Sequence, residues 1–377
     1  QERHRRVMLD DLNPPQREAV THGTGPLLVL AGAGSGKTRV LTYRIAHLLA
    51  TDAARPSEIT AVTFTNKAAR EMRERVEALV GRPLAGGFVG TFHRWALDAL
   101  RRRPGAAGLP PRFGIVDADD QRALLGRALK ELGLDPQANP PRALLSRISS
   151  RVNSGLSCAV FAEQAVGGGD ETLAAVWRRY EALKSAAGVV DFDDMLLRAL
   201  AALRGDRGLR TELQRRARFL LVDEFQDTNA LQMDLLQEVT DGERNLTAVG
   251  DEDQSIYRWR GAELDNILRF EHFFPGARVV TLEQNYRSTA PILAAAGELI
   301  AANSGRRGKR LFTERAGGEP VRLHLAEDER GEARWVADLI ESAADRTPLG
   351  EIAVLLRTNA QTRPFEEELT RRRIAHR

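Results

Sequence analysis

Two short segments of this chain carry residue types that together can handle phosphate. The first runs Ala31, Gly32, Ala33, Gly34, Ser35, Gly36, Lys37, Thr38, after the apolar run 27–30 and before the helix-like stretch 39–49. Glycines at 32, 34 and 36 let the backbone turn its N–H groups inward around phosphate oxygens, while Lys37 can reach the terminal phosphates and Thr38 can ligate Mg²⁺. A helix starting there adds its positive end to the site. The strict pattern has glycine first where this chain has Ala31, which leaves the turn-forming glycines intact. The second segment is Asp223, Glu224, Phe225, Gln226, Asp227 after the apolar run 219–222. Asp223 can hold Mg²⁺, and Glu224 can orient and deprotonate an attacking water. Alone, an Asp-Glu pair after a strand reads as a helix cap with a first-turn acid. Joined to the glycine loop, it reads as half of an ATP site.

Further along, Gly250, Asp251, Glu252, Asp253 and Gln254 lead into Tyr257, Arg258, Trp259 and Arg260. Aromatic side chains alternating with arginines suit stacked bases and backbone phosphates, at about 1–3 kcal/mol per stack. Trp259 equally suits a buried packing role. Phe64, Thr65, Asn66 and Lys67 place small polar groups before a helix whose N-terminus can hold a phosphate, or form an ordinary strand end. Thr91 and His93 offer a hydroxyl and an imidazole, although a lone histidine is more often structural. Gln284, Asn285, Tyr286, Arg287 and Ser288 offer a ring for adenine and a guanidinium for a γ-phosphate.

These residues need a scaffold that brings them to one edge. Apolar runs at 27–30, 59–64, 219–222, 246–249 and 278–282 alternate with helical patterns, which predicts a parallel sheet covered by helices. The glycine loop, Thr65 to Lys67, Asp223 with Glu224, and 250–254 all follow strand ends, the edge where open α/β sheets bind ligands. Between 93 and 190 strand signals disappear and helical stretches alternate with Pro/Gly breaks, predicting a helical insertion. The expected organisation is therefore 1–92 and 191–276 as one sheet domain, 93–190 as its insertion, and 277–377 as the start of a second sheet domain with strands at 278–282, 320–325 and 351–356.

Composition narrows the setting. The 377 residues hold 55 Lys and Arg against 52 Asp and Glu, a net charge of +3 that permits a polyanionic partner without demanding one. Basic clusters at 101–103, 215–216, 306–310 and 371–373 each read as a solvated face before a phosphate contact. A single cysteine, Cys158, excludes an intrachain disulfide and a thiolate metal cluster, which fits a reducing cytoplasm. No apolar stretch suggests a membrane span or a signal peptide. Gln1 is not an initiator methionine and the chain stops at Arg377 as a strand pattern begins, so a fragment is expected at both ends.

In this order the motifs resemble those of the UvrD/PcrA/Rep group of superfamily 1 DNA helicases, over essentially the whole chain. The resemblance implies a RecA-like P-loop NTPase domain with a helical insertion, followed by the start of a second RecA-like domain. It implies ATP and Mg²⁺ as cofactors, held by Gln16 on the base, Gly32, Gly34, Ser35, Gly36, Lys37 and Thr38 on phosphate and metal, Arg39 packed on the nucleotide, Asp223 on Mg²⁺, Glu224 as base, Gln254 and Arg287 on the γ-phosphate and Tyr286 on adenine. Phe64, Thr65, His93, Tyr257, Trp259 and Arg260 correspond to its DNA-contacting and coupling positions. The partners implied are single-stranded DNA, single/double-strand junctions, and repair or replication proteins; the movement implied is 3′ to 5′. The chain ends before the family's later motifs, including one that brings a second arginine to the γ-phosphate, so weak turnover is expected of it in isolation. Two other readings stay open: a nucleotide-dependent clamp that binds nucleic acid without moving, and the motor part of a helicase-nuclease.

Overall fold

The computed structural model describes residues 9–240, 242, 244–257 and 261–377. They divide into two units, Gln1–Gly318 and Glu319–Arg377.

The first unit is built on six parallel strands: β1 (Leu27–Ala31), β2 (Ile59–Thr63), β3 (Phe88–Thr91), β6 (Phe219–Val222), β7 (Leu246–Gly250) and β8 (Arg278–Leu282). Their order across the sheet is β3-β2-β6-β7-β1-β8. The central strands are uninterrupted apolar runs because both faces are covered, as parallel sheets require. Side-chain alternation splits them cleanly. Leu27, Val29, Phe219 and Leu221 enter one core, and Leu28, Leu30, Leu220 and Val222 enter the other.

On the first face lie α1 (Pro14–Thr21), α2 (Lys37–Ala50) and α3 (Asn66–Val80), through Ala19, Val40, Ile45, Met72 and Val76. The second face takes α4 (Phe92–Arg102) and the helices that follow it: α5 (Ala118–Glu131), α6 (Pro141–Asn153), α7 (Cys158–Gln164), α8 (Gly168–Ala187), α9 (Phe192–Gly205), α10 (Arg207–Arg216) and α11 (Ala230–Val239). Within the helical stretch a two-residue pairing of β4 (Gly114–Ile115) with β5 (Val189–Val190) joins its two ends, a strand contact too short to leave a sequence signal.

A buried charge cluster pins α8 to α9. Lys184, 1% exposed, lies 2.8 Å from Glu181, 3.0 Å from Asp191 and 2.6 Å from Asp194. Asp191 is the N-cap of α9, Asp194 completes its capping box, and the Tyr180 hydroxyl donates to Asp191 at 2.8 Å. Every charge there has a partner, as burial demands.

Two single-turn helices, α12 (Asp265–Leu268) and α13 (Phe270–Phe273), lead into β8, and α14 (Ala290–Ala301) follows it. The strand expected at 278–282 forms, but it pairs with β1 and closes the first sheet instead of opening a second. Periodicity identifies a strand; it does not name its neighbour. The segments 320–325 and 351–356, expected as strands, find no strand partner among the described residues, and Leu323, Leu325 and Leu355 stand 89%, 86% and 94% exposed. The second unit consists of α15 (Glu329–Ala344) packed on α16 (Thr362–Arg371) through Ala337, Ile340 and Leu369.

Candidate nucleotide and nucleic-acid site

The glycine loop leaves β1 and enters α2 through Gly34 and Gly36, whose φ values of 65° and 93° lie in the left-handed region that favours glycine. Its shape is held from outside. Gly32 N donates to Leu282 O at 3.0 Å, and Gly34 O accepts from Tyr286 N at 2.9 Å. Asn285, 2% exposed, donates to Ala33 O at 2.5 Å while its Oδ1 accepts from Arg287 N and Ser288 N at 2.8 and 2.7 Å. Inside the loop, Ser35 Oγ donates to Gly32 O at 2.6 Å. Tyr286 and Arg287 thus flank the phosphate loop within the same unit.

Gln16 approaches the loop from α1. Asn13 and Gln16 form a capping box with Pro14 and Pro15 in the first turn, an arrangement that starts a helix sharply. The Gln16 side chain is 1% exposed, and its Nε2 donates to Ser35 O at 2.9 Å. Asn13 Nδ2 donates to the Tyr286 hydroxyl at 2.8 Å, so a ring suited to stacking and an amide suited to edge recognition sit side by side. Arg39 donates to Asp11 O at 2.9 Å and lies over the Tyr43 ring at 5.2 Å.

The far end of α1 is fixed by a residue whose role the sequence did not signal. Arg44, 1% exposed, donates to the carbonyls of Ala19, Val20, His22 and Gly23 and, through Nε, to Thr247 Oγ1 at 2.8 Å. Burial without a carboxylate partner pushes its guanidinium down to about 10, still protonated at neutral pH. One cation therefore ties α1, α2 and β7 together.

Across the sheet edge, Lys37 Nζ donates to Glu224 Oε2 at 2.8 Å and to Gln254 Oε1 at 3.5 Å. Glu224 has a φ of 48°, a conformation that costs a side-chain-bearing residue on the order of 1–3 kcal/mol and is kept where the surroundings impose it. Gln226, inside the acidic segment, donates from Nε2 to Glu224 Oε2 at 2.8 Å and accepts through Oε1 from Asp251 N at 2.9 Å. Gln254 Nε2 in turn donates to Asp251 Oδ2 at 2.5 Å. A continuous chain of hydrogen bonds thus runs from Lys37 to the loop after β7.

Asp223 is buried beside Glu224, and burial, reinforced by that charge, pushes its carboxyl up to about 6. Asp227 is pushed up to about 6 by the same two causes in the same order, and its buried Oδ1 has no hydrogen-bond partner among the described residues. Three carboxylates facing one lysine leave excess negative charge, the environment a divalent cation neutralises. Among the described residues no three His, Cys, Asp or Glu side chains form a metal-holding group. Thr38 opens α2 on the same edge, so the donor set fits Mg²⁺.

The basic cluster at 306–310, expected as a solvated face, is largely internal. Lys309, 2% exposed, lies 2.6, 2.8 and 3.0 Å from Asp251, Glu252 and Asp253. Arg306 makes a bidentate pair with Asp253 at 2.6 and 2.7 Å. A charge run records neither where the chain turns back nor which acids await it.

The candidate DNA contacts meet beside this network. The Phe64 and Tyr257 rings stack at 5.3 Å with 24° between planes. Thr65 caps α3 by accepting from Ala68 N at 3.1 Å. His93 meets Phe192 edge-on at 5.6 Å, and burial lowers its imidazole. Phe192, 55% exposed, went unnoticed in the sequence because one aromatic in a helical stretch carries no signal. Thr63 and Thr91 are register partners on β2 and β3, so Phe64 and His93 emerge together. Trp259 and Arg260 lie outside the described residues.

A glycine phosphate loop after β1, with an Asp-Glu pair after β6 of the same parallel sheet, defines the class: a P-loop α/β nucleotide-binding protein. Residues 12–275 match the model of the UvrD/REP helicase N-terminal domain and residues 280–377 that of the UvrD-like helicase C-terminal domain; the chain belongs to the UvrD/REP helicase family. It is 45% identical over 372 residues to DNA helicase II of Escherichia coli (strain K12), covering 98% of this chain and 51% of that protein. It is 43% identical over 364 residues to the ATP-dependent DNA helicase PcrA of Bacillus subtilis (strain 168), covering 96% and 49%. The ATP-dependent DNA helicase UvrD1 of Mycobacterium bovis (strain ATCC BAA-935 / AF2122/97) is 43% identical over 386 residues, covering 98% and 50%. The chain thus spans about half the length of these relatives. No helix among the described residues is long and apolar enough to cross a membrane.

Proposed function

We propose that this chain is the nucleotide-hydrolysing part of an ATP-dependent DNA helicase that moves 3′ to 5′ along single-stranded DNA and separates strands at single/double-strand junctions during repair or replication. The observation that carries the reading is the hydrogen-bonded line from Lys37 through Glu224 and Gln226 to Asp251 and Gln254, which ends three residues before a ring stacked on Phe64. A change at the phosphates has a short physical route to a base-stacking surface. The relatives' names, DNA helicase II and ATP-dependent DNA helicase, point the same way.

In this reading the backbone of residues 32–36 and Lys37 grip the phosphates, Gln16 and Tyr286 hold the adenine, and Arg39 packs beside it. Glu224 takes a proton from the attacking water, while Gln254 and Arg287 respond to the γ-phosphate. Thr38 and Asp223 would hold Mg²⁺, which would supply charge neutralisation on the phosphates. Phe64, Thr65, His93, Tyr257, Trp259 and Arg260 form the DNA track. Residues 1–92 and 191–276, completed by β8, make the first RecA-like domain, 93–190 its helical insertion, and the stretch after β8 leads into the second.

The test is ATP hydrolysis by the whole protein with and without a single-stranded oligonucleotide, with Lys37→Ala as blank. Strong stimulation that disappears in the blank is expected; turnover indifferent to DNA would favour a nucleotide switch. Polarity is read separately, by displacement of streptavidin from a 5′-biotinylated but not a 3′-biotinylated strand.

A further inference from the structure

A cleft of about 570 Å³ lies at the β3 edge of the sheet, outside the sites above. From α3 it is lined by Asn66, Ala69, Arg70 and Arg73, and from α4 by Arg94, Leu97, Asp98 and Arg101. Each set follows the i, i+3, i+4, i+7 spacing of a single helix face. The two helices lie on opposite faces of the sheet, so the cleft straddles its open edge, with Phe88 and Gly90 of β3 between them.

The charge in this cleft is unbalanced in a way its surroundings are not. Neighbouring arginines have acidic partners: Arg75 with Glu71 at 3.9 Å, Arg102 with Asp98 at 2.9 Å and with Glu212 at 3.0 Å. Arg73 has Glu77 at 3.9 Å. Arg70, Arg94 and Arg101 are exposed and have no ion-pair partner among the described residues, and the one carboxylate lining the cleft, Asp98, is taken by Arg102. Like charges gathered on a concave surface raise a positive potential that attracts a polyanion.

The cleft also continues the proposed DNA track. Asn66 follows Thr65 directly, and Gly90 precedes Thr91, the N-cap of α4. From Arg94 to Arg101 the face runs about 10 Å along α4, away from that edge. We infer that this cleft binds the phosphate backbone of single-stranded DNA leaving the Phe64–His93 edge, so that Arg70, Arg94 and Arg101 extend the footprint beyond the stacking surface. The inference rests on the DNA reading above, and its test separates the two.

The full-length protein is titrated with oligothymidylates of about 6 and about 20 nucleotides, lengths that bracket a minimal and an extended site. A variant carrying Arg70→Gln, Arg94→Gln and Arg101→Gln is expected to bind the short strand as the parent does. On the long strand it should lose roughly tenfold in affinity at low salt. Its slope of log affinity against log salt should flatten by about 2, since each phosphate left unneutralised on a single strand takes roughly 0.7 from the slope. Arg94→Gln alone should flatten it by about 0.7. Unchanged long-strand binding, or equal loss on both lengths, overturns the inference. So does a variant that keeps its affinity but aggregates, since the arginines would then merely guard an open strand edge. If the parent protein binds neither strand, the DNA reading itself fails.

Discussion

Lys184 and Lys37, both in the first unit, meet carboxylates and are built to opposite specifications. Lys184 has three acidic partners within 3.0 Å, two of them locked into the capping box of α9, and a tyrosine hydroxyl completes the set. Lys37 has one carboxylate at 2.8 Å, carried on a strained Glu224 backbone, beside Asp227 with an unsatisfied oxygen and Asp223 pushed toward its neutral form. The first cluster is complete without a ligand. The second is short of positive charge and short of donors, and that deficit marks a place where something else belongs.

The sharpest way to break this contrast is to neutralise one residue in each cluster. Glu224→Gln in the whole protein keeps a hydrogen-bonding group of the same shape, so nucleotide affinity should stay within a few-fold while single-turnover hydrolysis falls by about 10²–10⁴-fold. Its thermal midpoint should hold or rise, because repulsion with Asp223 and Asp227 is removed. Retained hydrolysis would assign the base elsewhere. Lys184→Met should do the reverse: it strands Asp191 and Asp194 as buried charges, at a cost of about 3–5 kcal/mol in denaturant unfolding, with hydrolysis per folded molecule little changed. A stable Lys184→Met protein would mean the cluster is no keystone.

Gln226 lies between these extremes, since it satisfies the network and also links its halves. Gln226→Ala should cost about 1–3 kcal/mol in stability, because Asp251 N is left without its buried partner and Glu224 Oε2 keeps only Lys37. If the line of hydrogen bonds is the route of coupling, DNA stimulation of hydrolysis should drop while basal hydrolysis changes less; equal loss of both would argue for a purely local role. The smallest effect concerns Cys158, beside the Lys184 cluster. Burial first, and then the Glu181 charge, push its thiol up to about 11. At pH 8 it should alkylate roughly a hundred-fold more slowly than a free thiol near 8.5. The Lys184 charge pulls the thiol the other way, so the folded Lys184→Met variant should alkylate more slowly still, which a labelling time course would show.

Much of this is legible in the sequence. The uninterrupted apolar strands, the glycine loop and the acidic pair are local signals, and each sits where its spacing placed it. What stayed hidden depends on partners distant in sequence. The 278–282 run announced a strand but not that β1 was its neighbour. Lys309 looked like one more exposed cation until the chain turned back onto Asp251, Glu252 and Asp253. Arg44 reads as the polar side of a helix, yet it is fully buried on carbonyls that no side-chain pattern reveals. Asn285 stands between two residues whose chemistry drew the eye, while its own amide holds the phosphate loop.

The loop's tethers have a consequence for how tightly a phosphate chain can be held. Gly32 and Gly34 are bonded to Leu282 and Tyr286, and Asn285 clasps Ala33 between them. Immobilising a backbone residue costs about 1–2 kcal/mol in lost freedom, a penalty that falls on association when a loop must order around its ligand. Here it has been met during folding, by the strand at the sheet's far edge. Severing those tethers, with Asn285→Ala for instance, would shift that penalty onto the encounter itself and show as a less favourable binding entropy with the grip on phosphate unaltered.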